Sequence, residues 1–183
     1  LFSNYNTGIN NIFPNVRLIN APDDFKVIYN TEEEDLKDLQ AKGIRSVMKE
    51  HTTFHRILKI ANDIGLEVEK LKENLLVVIE NEEAKEDFDR QIYDKKDYIY
   101  LKDFTPEIIN KYDFVTFFSK DNIYEEYYLE DMVSAFKYTD VDFVTKDANK
   151  EPHNYTTSVA DIYRTMFDCD IITEKSHKII FID

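Results

Sequence analysis

The chain has 183 residues, of which 43% are hydrophobic, and its formal net charge is −14. A chain of this length buries about 70% of its unfolded surface in one core, and with only 3 Gly and 4 Pro it is a poor candidate for a turn-dense all-β fold. The negative charge disfavours nucleic acid, which is bound by Lys and Arg. It also disfavours an anionic membrane surface, unless the average hides a basic patch.

Nothing in the sequence indicates export or insertion into a membrane. The longest apolar runs, such as Leu75–Ile79, are far shorter than the ~20 residues of a membrane-spanning helix, and no signal peptide is visible. The single cysteine, Cys169, cannot form an internal disulfide. We therefore expect a cytoplasmic protein without a membrane span.

Two helices are predicted in the first third of the chain, after an irregular arm and a short strand. Apolar residues recur there at helical spacing, with acidic residues early and basic residues later, as the helix dipole favours. The predicted elements are, in order, an irregular arm or linker over residues 1–24, a strand over 25–29, a helix over Glu33–Glu50, and a helix that is capped by Thr52 or Thr53 and ends at Gly65.

From residue 75 onward, predicted strands alternate with helices. The strands are expected at Leu75–Ile79, 98–101, Phe114–Phe118 and 141–145, with a loop or short helix over 80–90, a short helix after Thr105 and Pro106, and a helix that buries Tyr128, Leu129, Met132, Val133 and Phe136. This alternation predicts an α/β fold, a three-layer sandwich around a mainly parallel sheet. Further on, we expect a helix over 157–167 and a strand over 178–182.

Polar side chains follow three of the predicted strands. They are Tyr29, Asn30 and Glu32 at and just after the end of the first strand, Glu80 and Asn81 after Leu75–Ile79, and Ser119, Lys120 and Asp121 after Phe114–Phe118. Open α/β sheets bind their ligands at the carboxyl ends of the strands. The carboxylate of Asp121, which follows the buried strand Phe114–Phe118, is therefore placed where such a sheet binds a ligand.

The order of these segments resembles the nucleotide-sugar site of a family 2 GT-A glycosyltransferase. Val-Ile-Tyr-Asn at 27–30 and Ser-Val-Met-Lys-Glu-His-Thr at 46–52 stand where that family has a Tyr-Asn loop and a Ser-Val-Leu-type segment that closes on Gln-Thr. Tyr-Tyr-Leu-Glu-Asp at 127–131 matches the family's Tyr-Leu-Glu-type helix. The resemblance covers roughly residues 25 to 147, and it implies that residues 25–183 are a GT-A-like nucleotide-sugar-binding domain.

The resemblance also implies roles for these residues. Tyr29, Asn30 and Glu32 would contact the base and ribose, Glu80 and Asn81 the base, and Ser119, Lys120 and Asp121 the diphosphate or its metal. The family binds Mn²⁺ or Mg²⁺ through the two carboxylates of a DxD motif. Because the first motif position here is Ser119, three alternatives stay open: Asp121 alone ligates a hydrated metal, Lys120 supplies the positive charge directly, or the site has lost activity.

A carboxylate after the strand at 141–145 would act as the general base, as in inverting members of the family. Asp147, Glu151, Asp161, Asp168 and Asp170 are available, and we favour Asp168 or Asp170. The implied reaction moves a sugar from a nucleoside-diphosphate donor to a hydroxyl of a glycan or protein acceptor. Bacterial surface glycan or glycoprotein assembly is the expected setting.

Two other classes of protein stay open. A non-catalytic domain of the same fold, which binds a partner subunit or domain or forms an oligomer, would account for the serine in the DxD motif. A nucleotidyltransferase on a related fold would need a glycine-rich phosphate loop, and the sequence has none. An ordinary strand–helix unit or a solvated strand end would also contain residues such as Tyr29 or Glu80.

Overall fold

The structure is a computed structural model that describes residues 2–3, 8–13, 16–68, 71–146, 155–159 and 161–175. The chain forms two compact units, Leu1–Val68 and Glu69–Asp183. The boundary that the sequence analysis placed after residue 24 lies inside the first unit. No described helix is both long enough and apolar enough to cross a membrane.

The first unit consists of short elements followed by two longer helices. In chain order they are strand β1 (Phe2–Ser3), helix α1 (Ile9–Ile12), strand β2 (Arg17–Leu18), a 3₁₀ helix (Pro22–Phe25), and helices α2 (Lys26–Tyr29), α3 (Glu33–Glu50) and α4 (Thr53–Asp63). Strands β1 and β2 pair in parallel.

The strand predicted over 25–29 is wrong, because this segment is helical. Pro22 is favourable at the start of a helix, where its missing N–H is not needed. The Asp24 carboxylate accepts hydrogen bonds from the N–H groups of Asn20 and Ala21 at 2.8 and 2.9 Å. This local cap starts a helical turn that overrides the β propensity of the apolar residues that follow.

The helices α3 and α4 confirm their predictions. Helix α3 spans Glu33–Glu50, and α4 begins after Thr52, whose hydroxyl accepts a hydrogen bond from the His55 N–H at 3.4 Å. The chain leaves α4 through Gly65, which has a φ of +74°. Glycine adopts this left-handed conformation without the steric cost of a side chain.

The second unit is built around a five-stranded sheet. Its elements are strand β3 (Leu75–Ile79), helix α5 (Glu82–Arg90), strand β4 (Lys96–Tyr100), 3₁₀ helices (Leu101–Asp103 and Pro106–Lys111), strand β5 (Phe114–Phe118), helix α6 (Tyr128–Phe136), strand β6 (Phe143–Thr145), a 3₁₀ helix (Ile162–Arg164), strand β7 (Thr165–Asp168) and helix α7 (Cys169–Lys175). The strand order is β4-β3-β5-β7-β6.

The sheet is mixed. Strand β3 pairs in parallel with β4 and β5, whereas β7 runs antiparallel to both β5 and β6. The α/β class is confirmed, and the parallel part of the prediction holds for the β4-β3-β5 side of the sheet. The antiparallel strand β7 replaces the helix predicted over 157–167, which is wrong.

Strand β7 forms because its residues fill the sheet. Thr165 and Met166 are fully buried, and the Thr165 carbonyl accepts a hydrogen bond of 2.8 Å from the Thr116 hydroxyl on β5. The Asp161 carboxylate accepts the Tyr163 N–H at 2.9 Å and so limits the helical conformation to one short turn. The strand predicted over 178–182 lies outside the described residues.

Helical segments cover both faces of this sheet. Alternate residues of β3 enter two apolar clusters, with Leu75, Val77 and Ile79 in one and Leu76 and Val78 in the other. The first cluster includes Ala84 and Phe88 of α5 and Leu129, Met132 and Val133 of α6; the second includes Ile109, Cys169 and Ile172. Burial on both faces explains why β3 is a continuous apolar run and why β5 contains only apolar residues and one buried threonine.

Candidate functional site

The carboxyl ends of β3 and β5 lie side by side, because these neighbouring strands run parallel. Ile79 is opposite Phe118, and the Glu80 N–H donates a hydrogen bond of 3.0 Å to the Phe118 carbonyl. Just beyond the strands, the Ser119 hydroxyl donates a hydrogen bond of 2.7 Å to the Glu80 carboxylate. Residues from two separately predicted motifs are therefore in direct contact.

A tight turn follows β5 and presents Lys120 and Asp121. The Ser119 hydroxyl accepts a hydrogen bond of 3.3 Å from the Asp121 N–H, and the Ser119 carbonyl accepts one of 3.3 Å from the Asn122 N–H. Ser119 is buried, whereas Lys120 and Asp121 are exposed. The turn therefore places one cation and one carboxylate at the surface, next to the end of β5.

Buried Tyr124 joins this turn to a second segment of the chain. Its ring stacks on Phe118 with centroids 3.8 Å apart. Its hydroxyl accepts a hydrogen bond from the Ser119 N–H at 3.1 Å and donates one to the Tyr163 carbonyl at 2.8 Å. Burial raises the pKa of Tyr124 to about 12, so the hydroxyl keeps its proton at neutral pH and makes both bonds.

Tyr163 and Arg164 are residues of this site that the sequence analysis missed. They lie directly before β7, and because β7 is antiparallel to β5, the start of β7 lies beside the end of β5. The Arg164 Nε donates a hydrogen bond of 2.7 Å to the side-chain oxygen of Asn122. A guanidinium is thereby fixed against the turn that follows β5.

The pKa of Tyr163 is raised above its ordinary value. Burial raises the pKa of Tyr163, and the negative charges of Glu80, Asp161 and Asp121 raise it further. No local sequence signal identifies Tyr163, because only the reversal of β7 brings it here. We call the following residues the strand-end cluster: Glu80, Ser119, Asp121, Tyr163 and Arg164.

The DxD positions of the strand-end cluster offer a metal ion one carboxylate instead of two. A hard divalent ion prefers several oxygen ligands, and carboxylates above all. The hydroxyl at the first DxD position, that of Ser119, already donates to Glu80 and accepts from the Asp121 N–H. Asp121 is then the one carboxylate of the motif. The Mn²⁺ or Mg²⁺ inferred from the resemblance stays a prediction.

Asn81 has a structural role beside the cluster. Its side-chain oxygen accepts a hydrogen bond of 3.0 Å from the Ala84 N–H and so caps the start of α5. Because this oxygen is engaged, Glu80 is better placed than Asn81 to accept hydrogen bonds from a ligand. The contact predicted between Asn81 and a base stays a prediction.

Asp168 and Asp170 lie at the opposite end of the sheet from the strand-end cluster. Asp168 is opposite Phe114, the first residue of β5, and a strand of this length spans about 13 Å. Lys72 Nζ lies 2.8 Å from the Asp168 carboxylate and 2.6 Å from that of Asp170. Burial lowers the pKa of Lys72, but hydrogen bonds to both carboxylates outweigh it, and the net pKa is raised. The structure therefore does not bring these two acids to the cluster.

Tyr29, Asn30 and Glu32 belong to the first compact unit, whereas the strand-end cluster belongs to the second. Asn30 ends α2, and Glu32 directly precedes α3. The side chain of Tyr29 is 86% exposed, so it is not part of a core. The nucleotide contacts inferred for these three residues stay predictions.

No family model matches the chain, and no curated protein and no solved structure shows a significant similarity to it. The function is therefore inferred from the geometry of the strand-end cluster and from the resemblance of its motifs.

Proposed function

We propose that the second unit binds a nucleoside-diphosphate sugar at the strand-end cluster and transfers the sugar to a hydroxyl of a glycan or protein acceptor. The reaction would serve bacterial surface glycan or glycoprotein assembly. The observation that supports this most directly is the 2.7 Å hydrogen bond between Ser119 and Glu80. It joins the two strand ends that the resemblance assigns to the base and to the diphosphate, at the edge where open α/β sheets bind ligands.

Two cations, Arg164 of the cluster and Lys120 beside it, would bind the diphosphate. Lys120 lies in the turn after β5, and Arg164 is held against the same turn by Asn122. A guanidinium presents a planar fork of donors that matches phosphate oxygens. Fixed positive charge of this kind stabilises the charge that develops on a leaving diphosphate. In this proposal, Arg164 and Lys120 stabilise the leaving diphosphate, which is the role of the metal ion in the family that the chain resembles.

Glu80 would select the base. Its carboxylate accepts hydrogen bonds, and Ser119 holds one of its oxygens in a fixed orientation. A fixed carboxylate recognises an imino or amino N–H of a base and disfavours bases that present an acceptor there.

Asp161 is the carboxylate that we propose as general base. Among the five acids considered from the sequence, Asp147 and Glu151 lie outside the described residues, and Asp168 and Asp170 lie at the far end of the sheet. Asp161 is beside the cluster, where one of its oxygens accepts the Tyr163 N–H and the other lies 3.8 Å from Arg164 Nε. The second oxygen can accept a proton from an acceptor hydroxyl, directly or through one water.

The test is ligand binding by the intact chain, measured by thermal shift and calorimetry with UDP, GDP, CDP and their sugars, each with and without Mn²⁺. A specific donor at about a hundred times its Kd stabilises the fold by about 2.7 kcal/mol. We expect Arg164→Ala to abolish most of this shift. Asp94→Asn, a change at an exposed carboxylate before β4, should leave it intact. The absence of a shift with every nucleotide would exclude the proposal.

The non-catalytic domain stays the second candidate, and the engaged hydroxyl of Ser119 at the DxD position favours it. The two candidates differ in turnover. An enzyme hydrolyses the donor slowly or transfers its sugar, whereas a binding domain retains the nucleotide unchanged. Chromatography of the nucleotide products after prolonged incubation distinguishes them.

A further inference from the structure

The carboxyl end of β4 brings an aromatic side chain next to the strand-end cluster. Strand β4 runs parallel to β3 at the edge of the sheet, and its last residue, Tyr100, is opposite Ile79. The Tyr100 hydroxyl donates a hydrogen bond of 2.6 Å to the Glu82 carboxylate in the first turn of α5. This hydrogen bond raises the pKa of Tyr100 to about 12, so the hydroxyl keeps its proton at neutral pH. Because Glu82 follows Glu80 by two residues, the Tyr100 hydroxyl reaches the segment that carries Glu80.

The Tyr100 ring is held by the core but remains accessible from outside. Tyr100 is half-buried and packs against the apolar cluster that contains Ile79 and Phe88. Lys102 Nζ lies over the ring, 5.5 Å from its centroid. Since Lys102 is exposed, a flexible, solvated side chain rather than the core covers this part of the ring. A planar ligand can take the place of the ammonium group without unpacking the core.

Three kinds of side chain follow one another along this edge of the sheet. The strand order β4-β3-β5-β7 places the Tyr100 ring first, the Glu80 carboxylate next and the Arg164 guanidinium last. Neighbouring strands are about 4.8 Å apart, which puts the main chain at Tyr100 about 14 Å from the main chain at Arg164. An extended nucleoside diphosphate has a comparable length, with its base at one end and its diphosphate at the other. The order of the side chains therefore matches the order of the groups in such a ligand.

We propose that Tyr100 stacks on the base of the bound nucleotide, a role that rests on the proposed function. Glu80 then contacts the edge of the base, and Arg164 binds the diphosphate. Aromatic side chains stack on every base because each base has a π-face, so Tyr100 supplies affinity and Glu80 supplies selection. Tyr100 belongs to the same compact unit as the strand-end cluster, whereas Tyr29 belongs to the first unit.

Fluorescence tests the stacking directly, because the chain contains no tryptophan. Tyr100→Trp introduces a single indole, and a base that stacks on an indole quenches its emission. UDP, GDP and CDP are titrated in turn into the intact protein. We expect at least one of them to quench the emission with saturation, whereas inorganic pyrophosphate, which has no base, should leave it unchanged. Tyr138→Trp is the control for collisional quenching, because Tyr138 is 56% exposed after α6, and its emission should not saturate.

Calorimetry of matched variants measures what the ring contributes to affinity. Tyr100→Leu keeps an apolar side chain against the core but has no stacking face, so it should weaken nucleotide binding by about 5- to 100-fold. Its affinity for pyrophosphate should be unchanged. Tyr100→Phe keeps the ring and should retain most of the nucleotide affinity. Tyr98→Leu, at an exposed tyrosine of the same strand, should bind nucleotide like the natural protein, and circular dichroism checks that each variant is folded.

The outcomes separate this role of Tyr100 from the proposed function. Equal nucleotide affinity of the natural protein and Tyr100→Leu, or nucleotide binding without quenching of the indole, would overturn the stacking and leave the proposed function standing. An equal loss of nucleotide and pyrophosphate affinity in Tyr100→Leu would make the ring a support of the site and not a contact of the base. The absence of binding by UDP, GDP and CDP would overturn both proposals.

Discussion

Two buried tyrosines of one apolar cluster differ in what their hydroxyl groups contact. The Tyr124 hydroxyl bonds to the Ser119 N–H and the Tyr163 carbonyl. The Tyr128 hydroxyl is buried without a hydrogen-bond partner among the described residues. A buried polar group destabilises the folded state when it has no hydrogen-bond partner and stabilises it when it has one. Replacing tyrosine with phenylalanine should therefore have opposite effects on stability at the two positions.

Tyr124→Phe should lower the free energy of unfolding by about 1–3 kcal/mol, because it leaves the Ser119 N–H unpaired. Tyr128→Phe should raise it by about 1 kcal/mol, because it removes an unpaired hydroxyl. Urea denaturation followed by circular dichroism measures both. Equal shifts in the same direction would contradict these assignments. Tyr124→Phe should also weaken donor binding, since Tyr124 holds Tyr163 in place.

Asp161→Asn tests the proposed general base. The asparagine oxygen can still accept the Tyr163 N–H, so we expect the fold and donor binding to change little. Transfer should fall by about 10²–10⁴-fold, the usual contribution of a general base. Rates and donor affinity are measured side by side, with Asp140→Asn, an exposed site, as the control. Unchanged transfer would exclude Asp161 from this role.

At the scale of elements, two glycines lie in or beside the long helices and have different functions. Gly43 is in the middle of α3, and a Cβ built there meets no described atom within 4 Å apart from its chain neighbours and the backbone of its own helix. Gly65 has a φ of +74° after α4, where a side chain is strained. Gly43→Ala should therefore raise the free energy of unfolding by up to about 1 kcal/mol, whereas Gly65→Ala should lower it by about 1 kcal/mol. Thermal unfolding distinguishes the two, and a loss of stability in Gly43→Ala would show that the helix interior is not free of contacts.

Gln91 connects the end of α5 to the start of α6. Its side-chain N–H donates a hydrogen bond of 2.7 Å to the Glu125 carbonyl, and its side-chain oxygen accepts one of 3.0 Å from the Leu129 N–H. Gln91 is 3% exposed, so water cannot replace these bonds. Gln91→Ala should lower the free energy of unfolding by about 3 kcal/mol. Gln40→Ala, at an exposed position of α3, should change the free energy of unfolding little. Urea midpoints compare the two, and similar midpoints would refute the role of Gln91.

For the whole molecule, buried tyrosines predict a loss of stability in alkali. Burial raises the pKa of Tyr93, Tyr124 and Tyr128 above the ordinary value of 10.0. The unfolded chain then loses these protons at a lower pH than the folded chain, so stability is complete below pH 10 and falls as the pH rises above it. The pKa of about 12 for Tyr124 alone corresponds to a loss of about 2 kcal/mol by pH 12.

Urea midpoints at about pH 8, 10 and 12 measure this loss. Tyr29→Phe serves as the control, because Tyr29 is exposed and its removal should leave the pH dependence unchanged. A midpoint that stays constant between pH 10 and 12 would contradict the burial of these hydroxyls.

The sequence predicted those elements whose signal is local. Helix α3 and strands β3 and β5 have the predicted bounds, because helical periodicity and continuous apolar runs are written within the segments themselves. The same reasoning placed Glu80, Ser119 and Asp121 after their strands. Their proximity followed from the parallel order of neighbouring strands.

Only the tertiary structure decided the rest of the site. The antiparallel direction of β7 brings Tyr163 and Arg164 to the end of β5 and takes Asp168 to the opposite end. Pairing of this kind depends on which segments fill the sheet, and no pattern within 157–167 specifies it. The sequence alone thus placed polar side chains after β3 and β5, whereas long-range pairing decided which further side chains lie beside them, because strand direction is set by contacts between distant residues.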